Sequence, residues 1–187
     1  MRELSLHLLD IAENSISAGA TNINILVAEY TKEDRLNLAV ADNGKGMDAD
    51  LLARVTDPFT TTRTTRKVGL GIPLLKEAAE ACNGSLLIWS EPGKGTRIDI
   101  EFQRSHIDRM PLGNLADTYR TLIISEPEIN WLLRYRLDEY EFVYDQQQVR
   151  ETLGDTAFSD PLVLSFIRTT FEEGLNPTKQ ITTTQQQ

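Results

Sequence analysis

The sequence reads Ala41-Asp42-Asn43-Gly44-Lys45-Gly46-Met47 directly after an apolar run at residues 36–40. An acidic side chain at the end of such a strand can accept a hydrogen bond from an exocyclic amine of a nucleotide base. Gly44 and Gly46 let the backbone pass close to a flat ligand, where a Cβ atom would clash. Turns of this composition are also common on protein surfaces, so this segment alone leaves a plain surface loop open.

The composition is that of a globular chain with an acidic balance. The 187 residues suffice for one domain, or for one domain with a small appendage. Asp and Glu number 28 against 19 Lys and Arg, and the net charge of −9 argues against nonspecific binding to nucleic acid or to anionic membranes. A single cysteine, Cys82, rules out an intrachain disulfide and is expected in the core. With no signal peptide or membrane-spanning apolar run, we expect a cytoplasmic protein.

The first helix is predicted over residues 3–18 from its apolar periodicity, and Ser15 falls on its apolar line. Asp10 and Asn14 are four residues apart on the other face, so their side chains are neighbours. A carboxylate and a carboxamide in this arrangement could hold a metal-bound phosphate and a water. His7 lies one turn before Asp10, and we interpret it as a structural or supporting residue. An ordinary solvated face remains the alternative for this helix.

Alternating apolar residues predict a hairpin of two strands at residues 21–30 and 36–41, which places Asp42 at its far end. A short helix is predicted at residues 48–55. Two further strands are predicted at residues 85–90 and 96–102, and we expect Trp89 and Phe102 to lie in the core.

A polar, basic run at residues 60–67 reads Thr-Thr-Thr-Arg-Thr-Thr-Arg-Lys. It has too few apolar residues to bury itself, so we expect a mobile loop that could cover a polyphosphate, or simply a solvated loop. Gly69 and Gly71 follow and open a helix predicted at residues 74–81. Glycines at a helix N-terminus expose N–H groups that can bind phosphate.

Four segments together resemble the ATPase superfamily of gyrase, heat-shock chaperones, histidine kinases and MutL proteins (GHKL). Residues 13–23, Glu-Asn-Ser-Ile-Ser-Ala-Gly-Ala-Thr-Asn-Ile, resemble its N box in the form closest to MutL-type repair proteins. Residues 42–47 resemble the adenine-binding box, and residues 93–96, Gly-Lys-Gly-Thr, resemble the final glycine box. Residues 57–62 followed by Gly-Leu-Gly-Ile at 69–72 resemble the lid and second glycine box of histidine kinases.

The resemblance covers residues 3–104 and implies a Bergerat-type α+β fold, a two-layer sandwich with a mixed sheet on one side and helices on the other. It also implies a site for ATP and Mg²⁺. Asp42 would bind the adenine amine with support from the Thr96 hydroxyl, and Asn14 would ligate Mg²⁺. The other residues would line the base (Gly44, Gly46, Met47), offer N–H groups to the phosphates (Gly69, Leu70, Gly71) or cover the phosphates (Thr62, Arg63, Lys67).

Three positions depart from the family pattern. Asp10 stands where the ATP-hydrolysing members carry Glu, and it can still act as a base, although it is one methylene shorter. We therefore expect slow chemistry. Ser17 replaces an Asp of MutL-type proteins, and Lys67-Val68 replaces the usual glycine-containing start of the second glycine box.

The chain changes character after the ATP-binding segment, so we predict three parts: an ATP-binding domain at 1–104, an α+β extension at 105–176 and a disordered tail at 177–187. The elements predicted in the extension are a helix at 114–124, strands at 130–136 and 140–144, a helix capped by Asp145 that runs to 153, and a helix at 162–173. We expect the extension to pack on the ATP module or to recognise a partner.

The resemblance implies a regulatory protein that binds Mg-ATP. The first hypothesis is a kinase that acts on a protein partner, with Asp10 as base and no phosphoacceptor histidine domain of its own. The alternatives are an ATP-gated binding switch with slow ATPase activity and a MutL-like ATP-driven dimer clamp, so a homodimer is possible. No nucleic-acid or membrane partner is expected.

Overall fold

The computed structural model describes residues 3–56, 71–154 and 157–176. Within these ranges, six strands form one mixed sheet in the order β3-β4-β2-β1-β5-β6. The strands are β1 (Asn22–Tyr30), β2 (Arg35–Asp42), β3 (Ser85–Glu91), β4 (Gly95–Gln103), β5 (Asn130–Leu137) and β6 (Tyr140–Asp145). The helices are α1 (Leu4–Ser17), α2 (Ala49–Arg54), α3 (Gly71–Ala81), α4 (Leu115–Ser125), α5 (Gln146–Leu153) and α6 (Pro161–Gly174).

The core lies between the sheet and the helices. Successive strand residues point to opposite faces, and one face of β1 and β2 is apolar over residues 23–27 and 36–40. The residues on this face are Ile23, Ile25, Val27, Leu36, Leu38 and Val40, all buried in one cluster with side chains of α1 and α3. The predicted two-layer fold is therefore confirmed.

Helix α1 buries the predicted apolar line, from Leu4 through Leu8 and Ile11 to Ser15. It ends where Gly19 adopts φ +76°, a left-handed conformation that glycine takes at little cost. This end of α1 meets the end of the β1–β2 hairpin, since the N–H of Lys45 donates to the carbonyl of Ala18 at 2.9 Å.

Strands β5 and β6 extend the same sheet instead of forming a separate one. β5 pairs in parallel with β1, with Asn22 opposite Asn130, and β6 pairs antiparallel with β5. A parallel partner requires a crossover connection, and the chain between β4 and β5 contains α4. The predicted boundary between an ATP-binding domain at 1–104 and an extension at 105–176 stays a prediction, although strands from both parts belong to one sheet.

Aromatic packing fixes α6 over the outer strand. The Phe171 ring lies 5.7 Å from Tyr119 on α4, and 5.8 and 4.9 Å from Phe142 and Tyr144 on β6, measured between ring centroids. The Tyr140 hydroxyl donates to the carbonyl of Gly174 at 2.9 Å. The helical face of β6 is thereby covered.

Phe102 and Cys82 are buried, as predicted. The prediction for Trp89 is wrong, because its side chain is 51% exposed. β3 is the first strand in the sheet order, and Leu86 and Ile88 occupy its inner face. Trp89 alternates with them and so faces away from the helices. Among the described residues, no helix has the length and apolar character of a membrane span.

Candidate functional site

Asp42 is held by three donors at the end of β2. The backbone N–H groups of Gly44 and Thr96 donate to its Oδ1 at 2.8 and 3.3 Å. The hydroxyl of Ser15 donates to its Oδ2 at 2.7 Å. A carboxylate offers about four acceptor positions, so Asp42 keeps the capacity to accept one further donor, such as an exocyclic amine.

Ser15 is a site residue that sequence reasoning did not identify. It was correctly expected on the apolar line of α1, and it is buried. Its partner is 27 residues away in the chain, and only the packing of α1 against β2 brings the two together. The polar residue within an otherwise apolar line was the one available signal, because a buried hydroxyl needs a hydrogen-bond partner.

Ser90 is a second site residue without a sequence-based prediction. Its Oγ accepts a hydrogen bond from the N–H of Met47 at 2.8 Å. The same oxygen lies 2.9 Å from the carbonyl oxygen of Gly95, to which it donates, and 2.9 Å from Oγ1 of Thr96. Ser90 therefore ties residues 44–47 to the pairing of β3 with β4 and holds the hydroxyl of Thr96, the residue that pairs with Asp42.

Two glycines allow close approaches between backbone segments. Gly46 has φ +67°, and a Cβ atom there would clash with the carbonyl oxygen of Glu91. Gly95 has φ +96°, and a Cβ atom there would clash with the carbonyl oxygen of Asp42. The residues that meet Gly46 and Gly95 belong to the protein itself, so both glycines are required to build the site whether or not a ligand is bound.

Asp10 lies at the other end of the site. A side chain at Gly71 would collide with Oδ2 of Asp10, so this carboxylate sits against the first residue of α3. Ser15 follows Asp10 by five residues, which is about 7.5 Å along the axis of α1. Two residues of α1 therefore reach two different places: Ser15 contacts Asp42, and Asp10 lies against the N-terminus of α3.

His7 is buried on α1, and its Nδ1 has no hydrogen-bond partner within the described part of the chain. Burial lowers the pKa of His7 below its usual value. The neutral imidazole is thus favoured in the folded protein, in agreement with a structural interpretation.

Comparison with known proteins decides the family. The family model described as "Histidine kinase-, DNA gyrase B-, and HSP90-like ATPase" matches residues 2–106, more than half of the chain. The chain belongs to this ATPase family. Membership confirms the predicted resemblance and supports an ATP-binding, kinase-like function.

Two curated relatives of this chain are named as sensor kinases. It is 44% identical over 88 residues to "Sensor protein kinase FleS" of Pseudomonas aeruginosa, a match that covers 47% of this chain and 22% of the relative. It is 32% identical over 108 residues to "Putative sensor histidine kinase NtrY-like" of Rickettsia conorii, which covers 58% of this chain and 18% of the relative. The chain therefore spans about a fifth of the length of these relatives.

A solved structure supports the fold over a larger share of this chain. The structure described as "Crystal Structure of N terminal domain of a DNA repair protein" superposes with a TM-score of 0.56 and covers 76% of this chain and 52% of its own. The sequence identity is 15%, so the likeness concerns the fold alone.

The predicted site residues of the chain fall into two groups. Those predicted to bind the base, Asp42, Gly44, Gly46, Met47 and Thr96, come together around the end of β2 and the start of β4. At the other end, Asp10 and Asn14 share α1, and Asp10 lies against Gly71. Five predicted residues lie outside the described residues: Thr62, Arg63, Lys67, Gly69 and Leu70.

The residues present fit a nucleotide-bound Mg²⁺ better than a metal held by protein alone. No group of three His, Cys, Asp or Glu side chains that could hold a metal occurs among the described residues. Mg²⁺ in nucleotide sites takes few protein ligands and completes its shell with phosphate oxygens and waters. The amide oxygen of Asn14, on the same face of α1 as Asp10, suits such a role.

Proposed function

We propose that this chain binds Mg-ATP with the adenine amine on Asp42 and passes the γ-phosphate to a side chain of a partner protein. The observation that carries the proposal is the fixed Asp42 carboxylate, with three donors in place and room for a fourth. A carboxylate accepts from the amine of adenine but repels the carbonyl oxygen that guanine presents at the same position. The site therefore favours ATP over GTP.

The phosphates would lie toward the N-terminus of α3. Free N–H groups and the positive end of the helix dipole favour anions at this place. Asp10 already brings a negative carboxylate to Gly71, so a cation between Asp10 and a phosphate would relieve their repulsion. Mg²⁺ on Asn14 and the phosphates would supply that charge and polarise the transferred phosphoryl group.

Asp10 would act as the general base, because its carboxylate can take the proton of an acceptor hydroxyl or of a water. The loop residues Thr62, Arg63 and Lys67, and the N–H groups of Gly69 and Leu70, remain proposed phosphate contacts. A cytoplasmic location also stays a prediction.

Kinase activity is supported by the printed names of the two sensor-kinase relatives. An ATP-gated binding switch is the second candidate, favoured by the short Asp10 side chain and the slow chemistry that it implies. The MutL-like clamp has less support, because the likeness to a DNA repair protein concerns the fold alone.

The test follows the γ-phosphate of labelled ATP in the presence of Mg²⁺, first with the pure protein and then with a lysate of its own source. Label on a second protein, lost with Asp10→Asn, would support the kinase. Label released only as free phosphate would overturn the kinase proposal in favour of the slow switch. Absence of nucleotide binding altogether would overturn both.

A further inference from the structure

A cavity outside the Asp42 site opens beside the last strand of the sheet. It lies between β6, α5 and α6 and has a volume of about 420 Å³. Its apolar walls include the side chains of Val149, Leu153 and Phe166. This volume lies in the range of pockets that enclose ligand groups or side chains.

Large apolar side chains are exposed on both sides of β6. Phe166 is 53% exposed at the mouth of the cavity, and Val143 is 49% exposed on the opposite face of the strand. Grouped apolar exposure beside a cavity is typical of an interaction surface, whereas single exposed residues are ordinary.

The outer edge of β6 adds backbone groups to this surface. β6 is the last strand in the sheet order and pairs only with β5 in the described part of the chain. In an antiparallel ladder, residue pairs that exchange hydrogen bonds alternate with pairs that do not. Every second residue of β6 therefore directs its N–H and C=O away from β5. Outside the ladder, residues 140–145 make no backbone–backbone hydrogen bond within the described ranges. Such an edge can receive an extended segment as an additional strand.

The charges on β6 indicate which segment fits. Glu141, Val143 and Asp145 alternate with Phe142 and Tyr144, which lie under α6, so the first three share the outer face. Val143 is thus flanked along β6 by two carboxylates, one of which, Asp145, also caps α5 through its Oδ1. The arginines paired with Val143 and Glu141, Arg134 and Arg136, lie on β5, on the side away from the open edge. A partner strand beside β6 has one residue opposite Val143. Lys or Arg two residues before and two residues after that residue would lie opposite the two carboxylates.

The same charges disfavour a second copy of this chain. Antiparallel pairing of two β6 edges about Val143 would place Glu141 opposite Asp145 of the second copy, and like charges in such positions are destabilising. Each copy also carries a net charge of −9. A basic partner segment has neither penalty.

We propose that the β6 edge and its cavity bind an extended segment of a partner protein with the pattern basic–apolar–apolar–apolar–basic. The two basic residues meet Glu141 and Asp145 on the outer face. The apolar residues between them that point to the helical face enter the cavity beside Phe166. The inference goes beyond nucleotide binding and does not depend on it, because β6, α5 and α6 contribute no residue to the Asp42 site.

The test measures fluorescence anisotropy of a labelled peptide, Ser-Lys-Leu-Val-Leu-Lys-Ser, with the full chain and without nucleotide. The core of the peptide reads the same in both directions, so it can pair in either orientation. Two control peptides carry Glu in place of both Lys residues, or N-methyl groups on alternate backbone nitrogens. We expect the Lys peptide to bind and each control peptide to bind at least about ten-fold more weakly.

Matched protein variants locate the binding site. Phe166→Asp should weaken binding at least about ten-fold, because it puts a charge in the mouth of the cavity. Leu162→Asp is the control, since Leu162 lies one turn earlier on α6, is 81% exposed and does not line the cavity. Thermal unfolding checks that both variants are folded, and Asp42→Asn should leave peptide affinity unchanged even if the nucleotide proposal fails.

The proposal is overturned if the Lys peptide does not bind, if either control peptide binds equally well, or if Phe166→Asp has no more effect than Leu162→Asp. Sedimentation analysis supplies one further outcome. A dimer that dissociates with Val143→Lys would assign the β6 edge to a second copy of this chain and would also contradict the proposal.

Discussion

The hydroxyl of Ser15 donates a 2.7 Å hydrogen bond to Oδ2 of Asp42 and so joins α1 to the end of β2. α1 also carries Asp10 and Asn14, so this bond connects the proposed base end of the site to the proposed phosphate end. Both groups are shielded from solvent in part, which strengthens a hydrogen bond to a carboxylate. The position of α1 and the orientation of the Asp42 carboxylate therefore depend on each other.

Ser15→Ala should weaken ATP binding about ten-fold and lower the free energy of unfolding by about 1–2 kcal/mol. The substitution keeps the volume nearly unchanged and removes the donor to Asp42, together with a longer contact of 3.4 Å to the carbonyl of Ile11. Calorimetric titration with Mg-ATP and urea unfolding measure the two effects. Ser17→Ala is the matched control, because its hydroxyl is exposed and donates to the carbonyl of Glu13. Equal affinities for wild type and Ser15→Ala would refute a role for Ser15 in orienting Asp42.

Gly95→Ala should destabilise the protein by about 2 kcal/mol or more and impair nucleotide binding, since its Cβ would press on the backbone of Asp42. Gly93→Ala is a close comparison. Gly93 also has a positive φ, +75°, but a Cβ atom there meets nothing within 4 Å. Gly93→Ala should lower the free energy of unfolding by only about 1 kcal/mol, because of backbone strain. Urea unfolding of both variants checks the difference, and similar losses would show that the close approach at Gly95 is unimportant.

Local chemistry made most elements predictable from the sequence. Asp145 caps α5 through Oδ1, which accepts from the N–H of Gln147 at 2.9 Å, and Asp160 caps α6 in the same way. A capping side chain and the turn that it caps are neighbours in the chain, so the pattern is visible without the fold. The ends of α1 and the β1–β2 hairpin were predicted for the same reason.

Contacts between distant segments were not predictable in this way. Nothing near Asn130 in the chain indicates that β5 pairs in parallel with β1, across more than 100 residues. The roles of Ser15 and Ser90 depend on helix and strand packing, and the exposure of Trp89 depends on which face of β3 the helices cover. Each of these follows from how the elements pack, which local periodicity does not contain.

Asp10→Asn should retain ATP binding and lose turnover, because the amide keeps the size of the side chain but cannot accept a proton. Nucleotide affinity by titration and phosphate release or transfer under single-turnover conditions separate the two effects. Glu77→Gln, an exposed change of the same charge on α3, should leave both unchanged. Wild-type turnover in Asp10→Asn would remove Asp10 from the mechanism.

The free energy of unfolding should fall as the pH drops below about 6.5. Burial lowers the pKa of His7 in the folded protein, whereas in the unfolded chain it titrates near its usual 6.5. The unfolded state therefore binds more protons in this range, and stability declines with acid by at most about 1.4 kcal/mol per pH unit. Urea unfolding between pH 5.5 and 7.5 should show this slope in wild type and a flatter one in His7→Leu. His106→Gln is the control, and the same slope in His7→Leu as in wild type would argue against His7 as its source.

The most direct test of nucleotide recognition is a calorimetric titration of Mg-ATP into wild type and Asp42→Asn. Wild type should bind one ATP per chain and prefer it to GTP, and Asp42→Asn should lose at least about ten-fold in ATP affinity, because the amide can turn its N–H₂ group toward the adenine amine. Asp50→Asn, an exposed change of the same charge on α2, should bind as wild type does. Unchanged ATP affinity in folded Asp42→Asn would contradict the assignment of this carboxylate as the adenine site.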